Sequence, residues 1–234
     1  MNDNYLHPVY KYQPSFGRRK SRKIAGERAD LMENLFPKIA IEITEKTTKL
    51  ELDTYFNNKN DIWLEIGFGA GEHLAAQAAN NPDINFIGCE PFIDGVAKLL
   101  INIDEQELDN IRLFDDDARI LLDTLPDASI SRLFVLFPDP WRKSRHYKRR
   151  IINPETLDMF ARIMKAGGVL RLATDHVNYA EWMLEHMMAD KHFVWQAAKP
   201  KDWHILPEDW VVTRYNEKAL EEGRTPYIFE FIKN

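Results

Sequence analysis

Gly67, Gly69 and Gly71 alternate within LEIGFGAGEHL. Glycine at such points lets the backbone take positive φ and lets a ligand approach the main chain. The motif alone is weak, because tight turns use glycine with no ligand nearby. Two acids sharpen it. Glu65 stands directly before the glycines, and Glu90 stands nineteen residues after Gly71, where a carboxylate grips a ribose diol by accepting both hydroxyl protons. The spacing is GxGxG and not the dinucleotide form GxGxxG, and a second acid at the loop would repel a pyrophosphate. Glu65 suits a ligand with a positive end. S-adenosylmethionine carries a sulfonium and an ammonium, and that charge balance favours it over NAD.

Two further stretches carry chemistry. In DDDA (115–118) Asp117 is placed to meet an adenine amine; the plain alternative for three aspartates is a solvated loop or a helix N-terminus. In FPDPWRKSRHYKRR (137–150) Pro138 and Pro140 fix the backbone around Asp139. Asp139 follows an apolar strand, so it belongs at the carboxyl edge of a sheet, where ligands bind. Trp141 either stacks on a ligand or packs, and packing is the commoner fate of a tryptophan.

The elements that must position these residues alternate along the chain. Strands are expected at 61–66, 84–90, 111–114, 131–137, 169–174, 192–197 and 226–232, from short runs rich in Ile, Leu, Val and Phe. Helices are expected at 73–80, 92–103, 118–125 and 177–188, and at 153–168 with Asn153 as N-cap, Pro154 at the first position and Gly167 as C-cap. Another helix runs from Ala25 to Phe36 and is stopped by Pro37. The class is α/β: about seven strands in a mostly parallel sheet with helices on both faces. No long crossover helix joins the last two strands, so an antiparallel strand is expected at that edge. Residues 1–23 read as a flexible basic arm, and 24–234 as a single domain.

Net charge is −6, yet residues 11–28 and 142–150 each net +6, which leaves −18 on the rest. Such segregation provides basic surface for an anionic partner; a solvated face is the plain alternative for either block alone. The single cysteine, Cys89, cannot form an internal disulfide and reads as a small buried residue. No Cys pair, HExxH or paired histidine appears, so no metal is expected. No apolar run approaches the length of a membrane span, and the N-terminus has no apolar signal core, so a cytoplasmic address is expected. The chain is expected to act as a monomer or homodimer.

LEIGFGAG, CEPF, DDDA, FPDPWRKSRHYKRR, LRLATDH and TRYNEKALEEGRTPYIFEF, in this order and spacing, resemble the bacterial tRNA (guanine-N7)-methyltransferases over roughly residues 16 to 232. PDPW with its basic tail is the specific part; the glycine loop is generic to methyltransferases. The resemblance implies a Rossmann-like class I methyltransferase that uses S-adenosylmethionine to modify guanine 46 in the tRNA variable loop. It implies cofactor contacts on Glu65, Glu90, Asp117 and Asp139, with Asp139 also catalytic, alongside Gly67, Gly69 and Gly71 of the loop. It implies substrate contacts on Lys143, Asp175, Thr213, Arg214, Tyr215 and Asn216, and RNA contacts on Arg145, His146, Tyr147, Lys148, Arg149 and Arg150. Asp175 is the candidate to accept from guanine N1–H and N2, the plain alternative being a helix N-cap. The family pattern in the late motif is Thr-x-Tyr/Phe-Glu. Asn216 stands here at the Glu position with Glu217 beside it, and Asn keeps an acceptor but loses the charge.

Three rival readings predict different sequences. A methyltransferase of small molecules or proteins needs neither basic block. An RNA-binding protein without catalysis needs none of the cofactor acids. An NAD oxidoreductase needs the other glycine spacing.

Overall fold

The structure, a computed structural model, describes Gly17, Arg19 and residues 23–199, 201–213, 216–217 and 221–234. Most of the basic arm, and Arg214 and Tyr215 of the late motif, lie outside the described residues. Seven strands form one sheet: β1 (Ile62–Ile66), β2 (Asn85–Cys89), β3 (Ile111–Phe114), β4 (Ile130–Leu136), β5 (Met164–Thr174), β6 (Phe193–Trp195) and β7 (Tyr227–Lys233), in the order β3-β2-β1-β4-β5-β7-β6. β3, β2, β1, β4 and β5 are mutually parallel. β7 runs antiparallel to both β5 and β6, as expected for that edge.

The strands alternate their side chains between two cores, as the two-residue period requires. Ile62, Leu64 and Ile66 of β1 pack on one face with α5 (Ala118–Thr124), α6 (Pro154–Ile163) and α7 (Val177–Ala189). Phe86 and Leu113 pack on the other with α1 (Glu27–Asn34), α3 (Glu72–Asn80) and α4 (Ile93–Glu105). With both faces of the parallel strands covered, a ligand can reach the sheet only at the strand ends, and the acids stand at the carboxyl ends.

Two helix ends differ from expectation. Pro37 does not stop the first helix: α1 ends at Asn34 with Leu35 as its C-cap, and Pro37 sits in the first turn of a separate short helix, α2 (Phe36–Ile39), where its missing N–H costs nothing. Gly167 is not a C-cap. α6 ends at Ile163, and β5 begins at Met164 with a register shift against β4 before Arg132 and Val169 pair. Gly167 takes its positive φ within that irregular stretch. The N-terminus of α6 is as expected, with Asn153 and Thr156 forming a reciprocal capping box.

Candidate active site

Each acid is delivered by the end of a neighbouring strand. β1 ends in the glycine loop, β2 in Glu90, β3 in Asp115–Asp117 and β4 in Phe137–Asp139. They open on a cavity of about 450 Å³ whose lining includes Glu65, Gly67, Gly69, Glu90, Asp117 and Asp139. Gly71 is not on that lining. It is the N-cap of α3 at φ 84°, and a side chain there would meet Leu99 of α4 at 2.6 Å, so its glycine serves both conformation and packing.

Glu90 binds the glycine loop to the start of α4. One of its oxygens accepts from the Gly69 N–H and the other from the Phe92 N–H, each at 2.9 Å. Burial raises its pKa, the two N–H donors oppose the rise, and Asp139 and Glu65 nearby add to it. Partial loss of water at the cavity wall also raises Asp139, although its side chain is still exposed, and it has no hydrogen bond or ion pair among the described residues. Asp117 plays two parts: it caps α5 by accepting from the Arg119 N–H at 3.0 Å, and it pairs with the Arg119 guanidinium at 2.5 Å. Glu65 is 3% exposed and its Oε2 lies 2.7 Å from His73 Nδ1. Cys89 is buried, and burial together with Glu90, Asp117 and neighbouring acids pushes its thiol well above the usual range, so it is no nucleophile.

The PDP turn is bracketed by strain. Phe137 (φ 49°) and Trp141 (φ 43°) both adopt the left-handed conformation, which aromatic residues rarely take and which persists only when surroundings enforce it. The Phe137 N–H donates to Ala173 of β5 at 2.8 Å. Arg150 Nε donates to the Pro140 carbonyl at 2.9 Å, and Arg149 stacks over Trp141 at 4.9 Å. Trp141 lines the cavity and also meets His146 edge-on, so it packs on one side and faces the pocket on the other.

The basic run divides. Lys143 and Arg145 are exposed and off the lining, while Lys148, Arg149 and Arg150 border it. Arg150 corrects the expectation of a surface RNA contact. It is 1% exposed, stacked over Tyr147 at 3.7 Å and flanked by Tyr179 and Trp182 at 4.8 and 5.0 Å. Its Nη2 donates to Asn178 at 2.6 Å. Tyr147 is half-buried in the same box, its hydroxyl donating to Asn178 at 2.9 Å. Both side chains serve the fold because three aromatic rings and an amide enclose the guanidinium more closely than solvent would.

Asp175 is not the N-cap of α7; His176 is. Asp175 accepts from Arg224 Nε at 2.7 Å, and Arg224 also pairs with Glu222. Asp175 is not on the cavity lining, and Thr213 is. Burial and the cations of Arg142, Arg224 and Arg150 lower the His176 pKa against the opposing charge of Asp175. Asn216 is 1% exposed, with neither side-chain polar atom hydrogen-bonded among the described residues, whereas Glu217 is exposed.

The sequence reading missed the charges that carry the chain to Thr213. Asp209 accepts from Arg171 at 2.7 Å and pairs with Arg132 at 2.9 Å, and its carbonyl accepts from Gln77 of α3 at 2.7 Å. Burial raises the Asp209 pKa, but the two guanidiniums outweigh it and hold the group low. Arg171 stands directly opposite Glu230 and donates to it at 2.8 Å. The signal was present in the sequence: charges inside the otherwise apolar strands SRLFVLF, VLRLAT and YIFEF.

Among the described residues, Asp158, Asp190 and His192 are the one grouping of possible metal-ligand side chains. None of them lines this cavity, and Asp190 already pairs with His192 at 3.2 Å. No helix among the described residues is long and apolar enough to cross a membrane.

Residues 59–229 match a protein family described as "Putative methyltransferase". The chain is 47% identical over 219 residues to a tRNA (guanine-N(7)-)-methyltransferase of Caulobacter vibrioides, covering 94% of each chain. It is 46% identical over 214 residues to the protein of that name from Rhodospirillum rubrum, covering 90% of this chain and 84% of the relative. With the one from Zymomonas mobilis it shares 40% identity over 231 residues and 99% of each. Among solved structures, the 16S rRNA methyltransferase KamB superposes with a TM-score of 0.60 at 16% identity, over 79% of this chain and 93% of that one, a likeness of fold.

Proposed function

The chain belongs to the tRNA (guanine-N7)-methyltransferase family, and from that premise we propose that it transfers a methyl group from S-adenosylmethionine to N7 of guanine 46 in tRNA. The observation that carries the proposal is the convergence of Glu65, Glu90, Asp117 and Asp139 on one cavity of about 450 Å³, a size ordinary for a cofactor site. The donor set fits the cofactor. Glu65 offers negative charge to its amino-acid end, Glu90 accepts from the ribose hydroxyls, and Asp117 accepts from the adenine amine. Burial has taken most of the water from Glu90, so a diol restores what that carboxylate lost, while Asp139 keeps an exposed carboxylate on the cavity wall.

When bound, S-adenosylmethionine supplies a methyl group made electrophilic by the positive sulfur. Guanine N7 has an in-plane lone pair and no proton to lose, so no side chain need act as general base. The protein's part is orientation and field. Asp139 stands at the strand end between the two partners and favours the positive charge that passes to the base. Asp175, held by Arg224, accepts from the guanine N1–H and N2 donors. Thr213 and Asn216 close the base pocket, and of the two candidates for the family glutamate the buried Asn216 is preferred to the exposed Glu217. Lys143, Arg145, His146, Lys148 and Arg149 meet the RNA backbone; Arg150 and Tyr147 shape the loop they stand on.

The test is direct. Purified protein, labelled methyl donor and unmodified tRNA are incubated, and the RNA is digested to nucleosides. Label in 7-methylguanosine, absent when guanine 46 is replaced, is the expected result. Label in another nucleoside, or none, refutes the reading.

A further inference from the structure

We propose that His73 is a positioning residue for the cofactor's amino-acid end: its Nδ1–H pins one oxygen of Glu65 and aims the carboxylate at the cavity. The inference rests on the cofactor reading above and extends it to a residue that does not itself line the site.

The glycine loop reverses the chain between the end of β1 and the start of α3, so His73 in the first turn of the helix returns over Glu65. The pair is 2.7 Å apart, and the side chains are 2% and 3% exposed. A carboxylate can only accept, so Nδ1 carries the hydrogen. The ring is further fixed by edge-on contact with Phe134 of β4, centroids 4.9 Å apart. Its Nε2 is buried and has no hydrogen-bond partner among the described residues. Packing alone would be served better by an apolar side chain of similar size, because an unpaired buried nitrogen costs stability. What the histidine gains in return is the bond to Glu65.

The choice of donor matters. Glu65 shares the cavity with Glu90 and Asp139, and like charges push it away from them. A lysine or arginine would hold Glu65 but cancel its charge and compete with a cationic ligand. A single ring N–H fixes one oxygen of the carboxylate and leaves the other for the ligand. Gln77, one turn further along α3, uses the same face to hold the Asp209 carbonyl at 2.7 Å, so the helix cannot easily slide to rebuild a missing bond.

The experiment compares wild type, His73→Leu and His73→Asn. Asn places an amide N–H where Nδ1 stood; Leu places none. S-adenosylhomocysteine affinity is measured by calorimetry, with the melting temperature of the cofactor-free protein read alongside. Expected is about a 10- to 100-fold weaker affinity for His73→Leu, the scale of one hydrogen bond to a charged group. His73→Asn should restore most of it, and KM for the methyl donor should rise more than kcat falls. Affinity unchanged in His73→Leu, or equally poor in both variants, overturns the proposal in favour of packing. If His73→Leu does not fold, nitrogen-15 histidine spectra of the wild type decide: a protonated Nδ1 whose signal moves in Glu65→Gln supports the bond, and a protonated Nε2 with bare Nδ1 overturns it. Failure of the wild type itself to bind S-adenosylhomocysteine refutes the cofactor reading instead.

Discussion

The Nε of Arg150 donates a 2.9 Å hydrogen bond to the carbonyl of Pro140, so the last residue of the basic run holds the turn on which Asp139 stands. The chain leaves β4, makes a strained turn, lays out its cations and then ties itself back to that turn. The exposed cations and the cavity-facing acid are therefore parts of one loop.

Arg150→Gln should destabilise the protein by about 3 kcal/mol, because it strips a buried cation from its aromatic box and orphans a carbonyl and an amide. Urea denaturation measures this. A loss below about 0.5 kcal/mol, typical of surface substitutions, would mean that the box is not structural.

Charge reversal at Arg145 or Lys148 should leave stability nearly unchanged and weaken tRNA binding. The slope of log affinity against log salt should flatten by about one for each phosphate the protein ceases to neutralise. Filter binding over a salt series tests it, and an unaltered slope removes that residue from the RNA surface.

Asp139→Asn keeps the shape of the side chain and removes its charge. Single-turnover rates should fall at least ~100-fold, the scale of losing one preorganised electrostatic group, while the circular dichroism spectrum is retained. A folded variant with wild-type rates would take Asp139 out of the mechanism.

Asp175→Ala should raise KM for tRNA and lower turnover while S-adenosylhomocysteine affinity stays within about twofold, since Asp175 faces Arg224 and not the cavity lining. Equal losses of RNA turnover and cofactor binding would end its role as a grip on the base.

Glu90 and Asp139 both have raised pKa values, Glu90 chiefly through burial and the still exposed Asp139 through partial loss of water. They take up protons at higher pH than an ordinary carboxylate does, near pH 4. In the proposed function both act as charged groups toward the cofactor, so its affinity should decline on acidification before ordinary carboxylates titrate. The stability of the cofactor-free protein runs the other way. The folded state binds these protons more tightly than the unfolded state, so the contribution is full below the unfolded pKa and is lost as pH rises through the folded one. Calorimetric titrations and melts over an acidic pH series check both signs; in Glu90→Gln the early decline should shrink.

Residue order alone gave the alternation of strand and helix, the open carboxyl edge and the acids upon it. Short apolar runs that end in glycine, acid or proline can hardly fold otherwise once both faces of a sheet are to be covered. The resemblance of PDPW and its basic tail to a known family also lies in linear spacing. Tertiary structure decided what each charge faces. Nothing in RKSRHYKRR distinguishes Arg150 from Arg149, yet Arg150 is enclosed by Tyr147, Tyr179 and Trp182 while Arg149 lies over Trp141, and both border the cavity. Nothing near Asp175 announces Arg224, nor does Asp209 announce Arg171 and Arg132. Such pairs join segments 38 to 77 residues apart, and a local pattern fixes which side of an element a residue takes, whereas its partner is fixed only when separate elements are packed against one another.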